Sequence, residues 1–190
     1  CKRSWTTDAA SIAFLNDSAN LSTCQIGGGS LGTILAMIRD SWDFDRRKNG
    51  LDDTGLEALC SLLPFNRVLT ELHLSNIGSF ESRLAEALPH LPLVDALSVR
   101  LTESSDVDGL MHSIKDMESL TTLSVNGSPI PVRLLVGEQA VKTIDVSNRG
   151  MDDIAISCFC TLITTSYDFS ATAIDLSWNN FGRDGFATIM

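Results

Sequence analysis

The most suggestive chemical motif in this sequence is a glycine run, GGGSLG, at 27–32. It matches the pattern G-x-G-x-x-G, whose glycines let backbone amides approach a pyrophosphate at the start of a helix. Asp43 and Asp45 follow near the position expected for an acid that binds a ribose. The preceding segment LSTCQI is polar, however, whereas the central strand of a dinucleotide-binding sheet is nearly all apolar. The run therefore allows a dinucleotide site or a flexible turn between repeats, and we favour the turn.

The histidines and cysteines do not form a recognisable catalytic or metal-binding pattern. His73, His90 and His112 have no spacing suited to a metal, and no serine lies in a G-x-S-x-G motif. Five cysteines, odd in number and sparse, fit reduced and mostly buried thiols in a cytosolic protein. Cys158 and Cys160 lack a second ligand cluster, which argues against zinc. We therefore predict neither a metal nor a cofactor.

The charge of the chain restricts its partners. The net charge is −10, and residues 51–190 carry nineteen acidic but only eight basic side chains. Such a surface repels phosphate, which argues against nucleic acid or an anionic membrane as a partner. No apolar stretch approaches the roughly 18 residues needed to span a bilayer, and no signal peptide is visible. Because the chain begins at Cys1 and stops at Met190 inside an expected helix, we expect it to be part of a larger protein. The sparse cysteines favour a cytoplasmic location.

A short phrase recurs along the chain: an apolar residue, two polar positions, an apolar residue, one polar position and another apolar residue. Its end alternates apolar and polar residues, which predicts a strand with one buried face. The clearest copies are LTELHLS from Leu69, LVDALSVR from Leu93, LTTLSVN from Leu120, VKTIDVS from Val141 and ATAIDLS from Ala171. Weaker copies at 39–44 and 21–26 would bring the number of strands to about seven.

The segments between these strands favour helices. Apolar residues fall at helical spacing in LDDTGLEALCSLL from Leu51, in MDDIAISCFCTLI from Met151, and in the segment that ends at Pro92. Aspartates at the start of the first two can cap free backbone amides. The segment SPIPVRLLVGEQ from Ser128 has two prolines and room for little more than one helical turn.

These residues resemble the leucine-rich repeat family, in particular its ribonuclease-inhibitor-like class. The closest matches are IDLSWNNFGRDGFATIM from Ile174 and LDDTGLEALCSLL from Leu51. The turn asparagine of that class is present as Asn179, whereas Ile77 and Arg149 occupy the equivalent positions elsewhere. The resemblance implies an α/β solenoid with a curved parallel sheet on its concave side and helices on its convex side. Residues 1–20 would be the helix of a preceding partial repeat, and 21–190 about seven irregular repeats, truncated at both ends.

The register of the repeat predicts which side chains point away from the core. The residue between the last two apolar positions of each strand should face outward. This column consists of Gln25, Asp43, His73, Ser98, Ser124, Asp145 and Asp175. Trp178 follows in the turn after the last strand, where it would either pack on a neighbouring repeat or anchor a partner.

The resemblance implies a non-enzymatic scaffold for protein–protein interaction. We expect its partner to be a protein with basic or polar groups, bound on the concave face. The expected contact residues are Asp43, His73, Ser98, Ser124, Asp145, Asp175 and Trp178. Two alternatives remain at this stage: a regulator of a nucleotide-hydrolysing switch protein, and a dinucleotide-binding enzyme domain that depends on the glycine run.

Overall fold

A layer of strands packs against a layer of helices in the part of the chain that the computed structural model describes. That part comprises residues 25–26, 29–30, 41–45, 60, 63–65, 68–75, 81–136, 141–166 and 169–190. The helix predicted for 1–20 lies outside it, and so does nearly all of the helix predicted from Leu51.

The strands and helices alternate along most of the chain. The strands are β1 (Gln25–Ile26), β2 (Gly29–Ser30), β3 (Ser41–Asp45), β4 (Glu71–Ser75), β5 (Ala96–Val99), β6 (Thr122–Val125), β7 (Ser128–Ile130), β8 (Thr143–Asp145) and β9 (Ala173–Asp175). The helices are α1 (Glu81–Ala87), α2 (Val107–Lys115), α3 (Val132–Leu135), α4 (Asp153–Thr165) and α5 (Arg183–Ile189). Short 3-10 turns cover Leu63–Phe65 and Leu88–His90.

Alternating burial explains why the repeated phrases form strands. In β4, Leu72 and Leu74 are buried while Glu71 and His73 are exposed. Strands β3, β4, β5 and β6 pair in parallel, and the buried apolar residues of β4, β5 and β6 belong to one core. The strands predicted from the clear copies of the phrase, and from the weaker copy at 39–44, are confirmed.

Helices α1, α2 and α4 each bury apolar residues in the core. In α2 the buried stripe is Leu110, Met111 and Ile114, and the side chain of Asp106 caps the helix by accepting from the Gly109 amide at 3.1 Å. Helices α1, α2, α4 and α5 pack side by side in chain order. None of the helices in the described residues has the length and apolar character that crossing a bilayer requires.

The predicted solenoid is wrong: the described strands do not form one continuous curved parallel sheet. They belong to three sheets, β1–β2, β3–β4–β5–β6–β7 and β8–β9, and none is closed or curled. Strand β2 is antiparallel to β1, and β7 is antiparallel to β6. The observed architecture is therefore a mixed α/β fold.

A tight hairpin after β6 is the physical reason for this difference. Asn126 and Gly127 have positive φ values of 52° and 87°, the geometry that two-residue hairpin turns favour. The hairpin places Ile130 opposite Leu123 and puts β7 on the edge of β6. The next strand, β8, therefore pairs with β9 in a separate sheet. Helix α3, with only four residues, confirms the predicted single turn in this segment.

The glycine run also differs from the dinucleotide-binding pattern. Ile26 pairs with Gly29, and Gln25 with Ser30, in an antiparallel ladder. Gly29 and Ser30 are consequently part of a strand, whereas the pattern requires them at the start of a helix. Gln25 belongs to this ladder and does not continue the row of outward-facing residues on β3 to β6. The end of the motif, 31–32, lies outside the described residues.

Candidate functional site

The outward-facing residues of the strands form two rows. Asp43, His73, Ser98 and Ser124 stand opposite one another on consecutive strands of the large sheet. Neighbouring strands are about 4.8 Å apart, so this row is continuous. Asp145 and Asp175 stand opposite each other in the separate β8–β9 sheet. We call these six residues the strand face.

The strand face is polar and accessible, but its two rows differ in character. Asp43 and His73 are exposed, whereas Ser98 and Ser124 are half-buried. The row on the large sheet thus includes two small hydroxyl side chains, and the row on the β8–β9 sheet consists of two exposed carboxylates. The sequence predicted the members of each row, but not the break between them, and the term concave does not apply to the observed sheets.

The two carboxylates of the β8–β9 sheet are held in place by the turns that follow them. Asp145 Oδ1 accepts from the Ser147 hydroxyl at 2.7 Å and from the Ser147 amide at 2.9 Å. The hydroxyl and the amide of Ser147, with a smaller contribution from the Arg149 charge, hold the pKa of Asp145 below its usual value. Asp175 Oδ1 accepts from the Ser177 amide at 2.9 Å. Two carboxylates on adjacent exposed positions create a local attraction for cationic groups.

The histidines are not brought together. His73 Nε2 lies 3.9 Å from Glu71 Oε2 on the exposed side of β4. His112 is on α2, where its Nδ1 lies 3.3 Å from the Asp108 carbonyl oxygen, and His90 ends a 3-10 turn. The described ranges contain no group of three side chains suited to hold a metal ion. His73 therefore contributes to the strand face as a surface residue.

Trp178 combines full exposure with an unfavourable backbone conformation. Its side chain is 84% exposed, and its φ of 61° is in the left-handed region. That region costs a bulky residue about 1–2 kcal/mol. The corresponding turn after β8 has Asn148 there, with a φ of 52°, and asparagine tolerates this region well. The turn therefore holds the Trp178 ring away from the core of the described residues.

Asn179 fixes the turn that carries Trp178. Its Oδ1 accepts from the Arg149 amide at 3.0 Å and the Met151 amide at 3.1 Å. Its Nδ2 donates to the Val146 and Leu176 carbonyl oxygens, both at 2.9 Å. One half-buried amide therefore joins the turns after β8 and β9. The sequence singled out this asparagine through the resemblance, although the individual partners could not be predicted.

Two further polar side chains connect neighbouring units. Asn126 Oδ1 accepts from the Leu101 amide, and its Nδ2 donates to Asp152 Oδ2, each at 2.9 Å. Asp152 also caps α4, as predicted, by accepting from the Ala155 amide at 2.7 Å. Asp153 accepts from the backbone amides at the start of α5, at 2.7 and 2.8 Å. The Asn126-Gly127 pair is a strong hairpin signal in the sequence, but the partners of the Asn126 amide are not predictable from it.

No protein-family model matches this chain, and no curated protein matches it either.

The thiols in the described residues are buried or half-buried. Cys60 and Cys158 are buried, and Cys160 is half-buried. Burial, with the nearby Asp152 charge, raises the pKa of Cys158 from 9.0 to about 12. Burial also raises the pKa of the half-buried Cys160. Neither thiol has the lowered pKa that an activated nucleophile needs.

We expect Cys158 to resist alkylation in the folded chain. At pH 8 it should carry roughly a thousandfold less thiolate than an unperturbed cysteine, because its pKa is about three units higher. Iodoacetamide labelling with peptide mapping should modify Cys158 in urea but not in native buffer. Since the folded pKa exceeds the unfolded one, the corresponding stabilisation is complete at neutral pH and is lost as the pH rises from about 9 to 12. Fast labelling in native buffer would contradict the burial.

Proposed function

We propose that this chain is a non-enzymatic binding protein whose strand face receives a partner protein with basic and polar side chains. The observation that supports this proposal most directly is the in-register exposure of Asp145 beside Asp175. Two fixed carboxylates on adjacent strands attract lysine or arginine, and the serines of the neighbouring row offer hydrogen bonds. The net charge of −10 adds a long-range attraction for a basic partner.

The proposed binding would rely on a surface that needs little reorganisation. The strands are held by hydrogen-bonded ladders, and Asp145 and Asp175 are held by the turns. A preformed surface loses little conformational entropy on binding, so that many modest contacts can produce useful affinity. We also propose a cytoplasmic location, because buried thiols such as Cys158 suit a reducing compartment.

Neutralising the carboxylate pair tests this proposal. The double variant Asp145→Asn/Asp175→Asn removes two charges while each side-chain oxygen can still accept its hydrogen bond from the turn. The unaltered chain, immobilised on a resin, should capture basic proteins from a cell extract. We expect the immobilised variant to capture about tenfold less of the same proteins, because a charged contact at the interface is lost. Quantitative mass spectrometry of the captured proteins measures the difference.

A matched control is available in two exposed loop residues. Glu103→Gln/Glu118→Gln removes the same number of charges at positions that lie on no strand. This control should capture what the unaltered chain captures, and both double variants should melt within a few degrees of it by circular dichroism. Equal capture by the Asp145→Asn/Asp175→Asn variant and the unaltered chain would remove the strand face from the proposal. If both double variants capture equally less than the unaltered chain, the effect is due to net charge and not to the positions of Asp145 and Asp175.

A further inference from the structure

The turn between β6 and β7 contains a pair of residues that can react with each other. Asparagine followed by glycine deamidates spontaneously, because glycine has no side chain to hinder the attack of its backbone nitrogen on the preceding amide. Asn126 and Gly127 form this pair. Gly127 is exposed, and no atom outside its neighbouring residues lies within 4 Å of the position that a Cβ would occupy. Water therefore has access to the turn.

The reaction needs no reagent other than water. In its first step the Gly127 nitrogen bonds to Asn126 Cγ and loses its proton, while the bond from Cγ to Nδ2 breaks and Nδ2 leaves as ammonia. The product is a cyclic imide that joins the two residues. In the second step water opens this ring at one of its carbonyl carbons, which leaves either aspartate or isoaspartate at position 126.

The folded chain restrains the amide that has to react. Asn126 Oδ1 accepts from the Leu101 amide, and Nδ2 donates to Asp152 Oδ2, each at 2.9 Å. These partners are 25 and 26 residues away in sequence, so both ends of the amide are held by neighbouring units. Attack on Cγ needs the amide to turn its face toward the Gly127 nitrogen. Both hydrogen bonds oppose that movement.

We propose that Asn126 is a deamidation site that its contact with Asp152 protects, and that its modification prevents the contact from forming again. The inference is independent of the proposed function. Aspartate at position 126 places a second carboxylate opposite Asp152, and isoaspartate adds one carbon to the main chain of a two-residue turn. Asn126 follows β6 and Asp152 follows β8, so the modification would loosen the connection between two sheets.

Comparing the folded and the unfolded chain tests the protection. The chain is incubated at pH 8 with and without denaturing urea, and mass spectrometry measures deamidation of the peptide that contains Asn126. We expect deamidation to be at least about tenfold slower in the folded chain, because only molecules in which the contact is open can react. Asn49-Gly50 is the same dipeptide and provides the reference rate in urea. Equal Asn126 rates in both solutions would overturn the protection, and an Asn126 that stays intact in urea while Asn49 reacts would overturn the site.

The variant Asp152→Ala tests the contact itself. It should accelerate deamidation of Asn126 in the folded chain at least about tenfold, since the amide loses its charged partner, and should leave the rate in urea unchanged. Asp106→Ala is the matched control, because it removes the corresponding cap of α2 and leaves Asp152 in place. An unchanged rate in Asp152→Ala would overturn the role of the contact. Equal acceleration in both variants would also overturn it, because deamidation would then follow a general loss of stability.

Pulse proteolysis tests the consequence of the modification within one sample. Chains that are partly deamidated in urea are refolded by dilution and exposed briefly to a protease, at a urea concentration that leaves most unmodified chains folded. Modified chains should be cut first, so the surviving intact chains should contain at least about fivefold less aspartate and isoaspartate at position 126 than the starting mixture. An unchanged proportion would show that the contact forms again after deamidation, against the proposal.

Discussion

Replacing Asn179 by alanine should lower the free energy of unfolding by about 3–5 kcal/mol, the range typical of breaking a half-buried network of hydrogen bonds. The amide makes four hydrogen bonds, two as acceptor and two as donor. Alanine leaves the amides of Arg149 and Met151 and the carbonyl oxygens of Val146 and Leu176 without these partners. Urea unfolding followed by circular dichroism should show a lower midpoint with an unchanged slope.

Asn180 provides the matched control. It is the same residue type, one position further along the chain and exposed. The change Asn180→Ala should therefore alter the free energy of unfolding by no more than about 0.5 kcal/mol, as exposed positions usually do. If the two alanine variants unfold at the same urea concentration, the Asn179 side chain does not join the turns after β8 and β9.

The strands could be predicted because each is specified by a local pattern. The phrase from Leu69 contains its own alternation, and burial of Leu72 and Leu74 follows from that alternation alone. The same logic predicted that Asp145 and Asp175 face outward. Period-2 patterns determine the face of a residue without any knowledge of its distant neighbours.

The pairing of the strands was less predictable than the strands themselves, because it depends on one turn. A repeated phrase favours the assumption that every copy joins the same sheet. The pair Asn126-Gly127 overrides it, since both residues adopt positive φ and direct the chain back along β6. Proline at position 129 does not prevent this, because β7 is an edge strand.

The hydrogen bonds that join neighbouring turns could not be predicted, for a different reason. Asn179 contacts the backbone of residues about 30 positions earlier, and Asn126 contacts Asp152 across a whole strand–helix unit. A single sequence identifies asparagine as a turn residue, but not the partners of its amide. Trp178 is similar, since the sequence predicts neither its left-handed backbone angle nor the exposure of its ring.

Asn126→Asp is the second substitution with a large expected effect. Aspartate has almost the same shape and tolerates the left-handed backbone at this position. It replaces the donor Nδ2 by an oxygen 2.9 Å from Asp152 Oδ2, so that two carboxylates face each other. We expect the free energy of unfolding at pH 7 to fall by about 2–4 kcal/mol, as for other unpaired, partly buried charges. Urea unfolding at pH 7 measures this loss.

If repulsion between the two carboxylates causes this loss of stability, the double variant Asn126→Asp/Asp152→Asn should be more stable than Asn126→Asp. This variant exchanges donor and acceptor across the same contact, while the side-chain oxygen of the asparagine introduced at position 152 can still accept from the Ala155 amide that caps α4. It should recover more than half of the lost stability, because the repulsion is removed and the hydrogen bond is restored in reverse. Asp152→Asn alone should cost less than Asn126→Asp, since it adds no charge. If the double variant is no more stable than Asn126→Asp, the contact between Asn126 and Asp152 does not hold the hairpin turn to the start of α4.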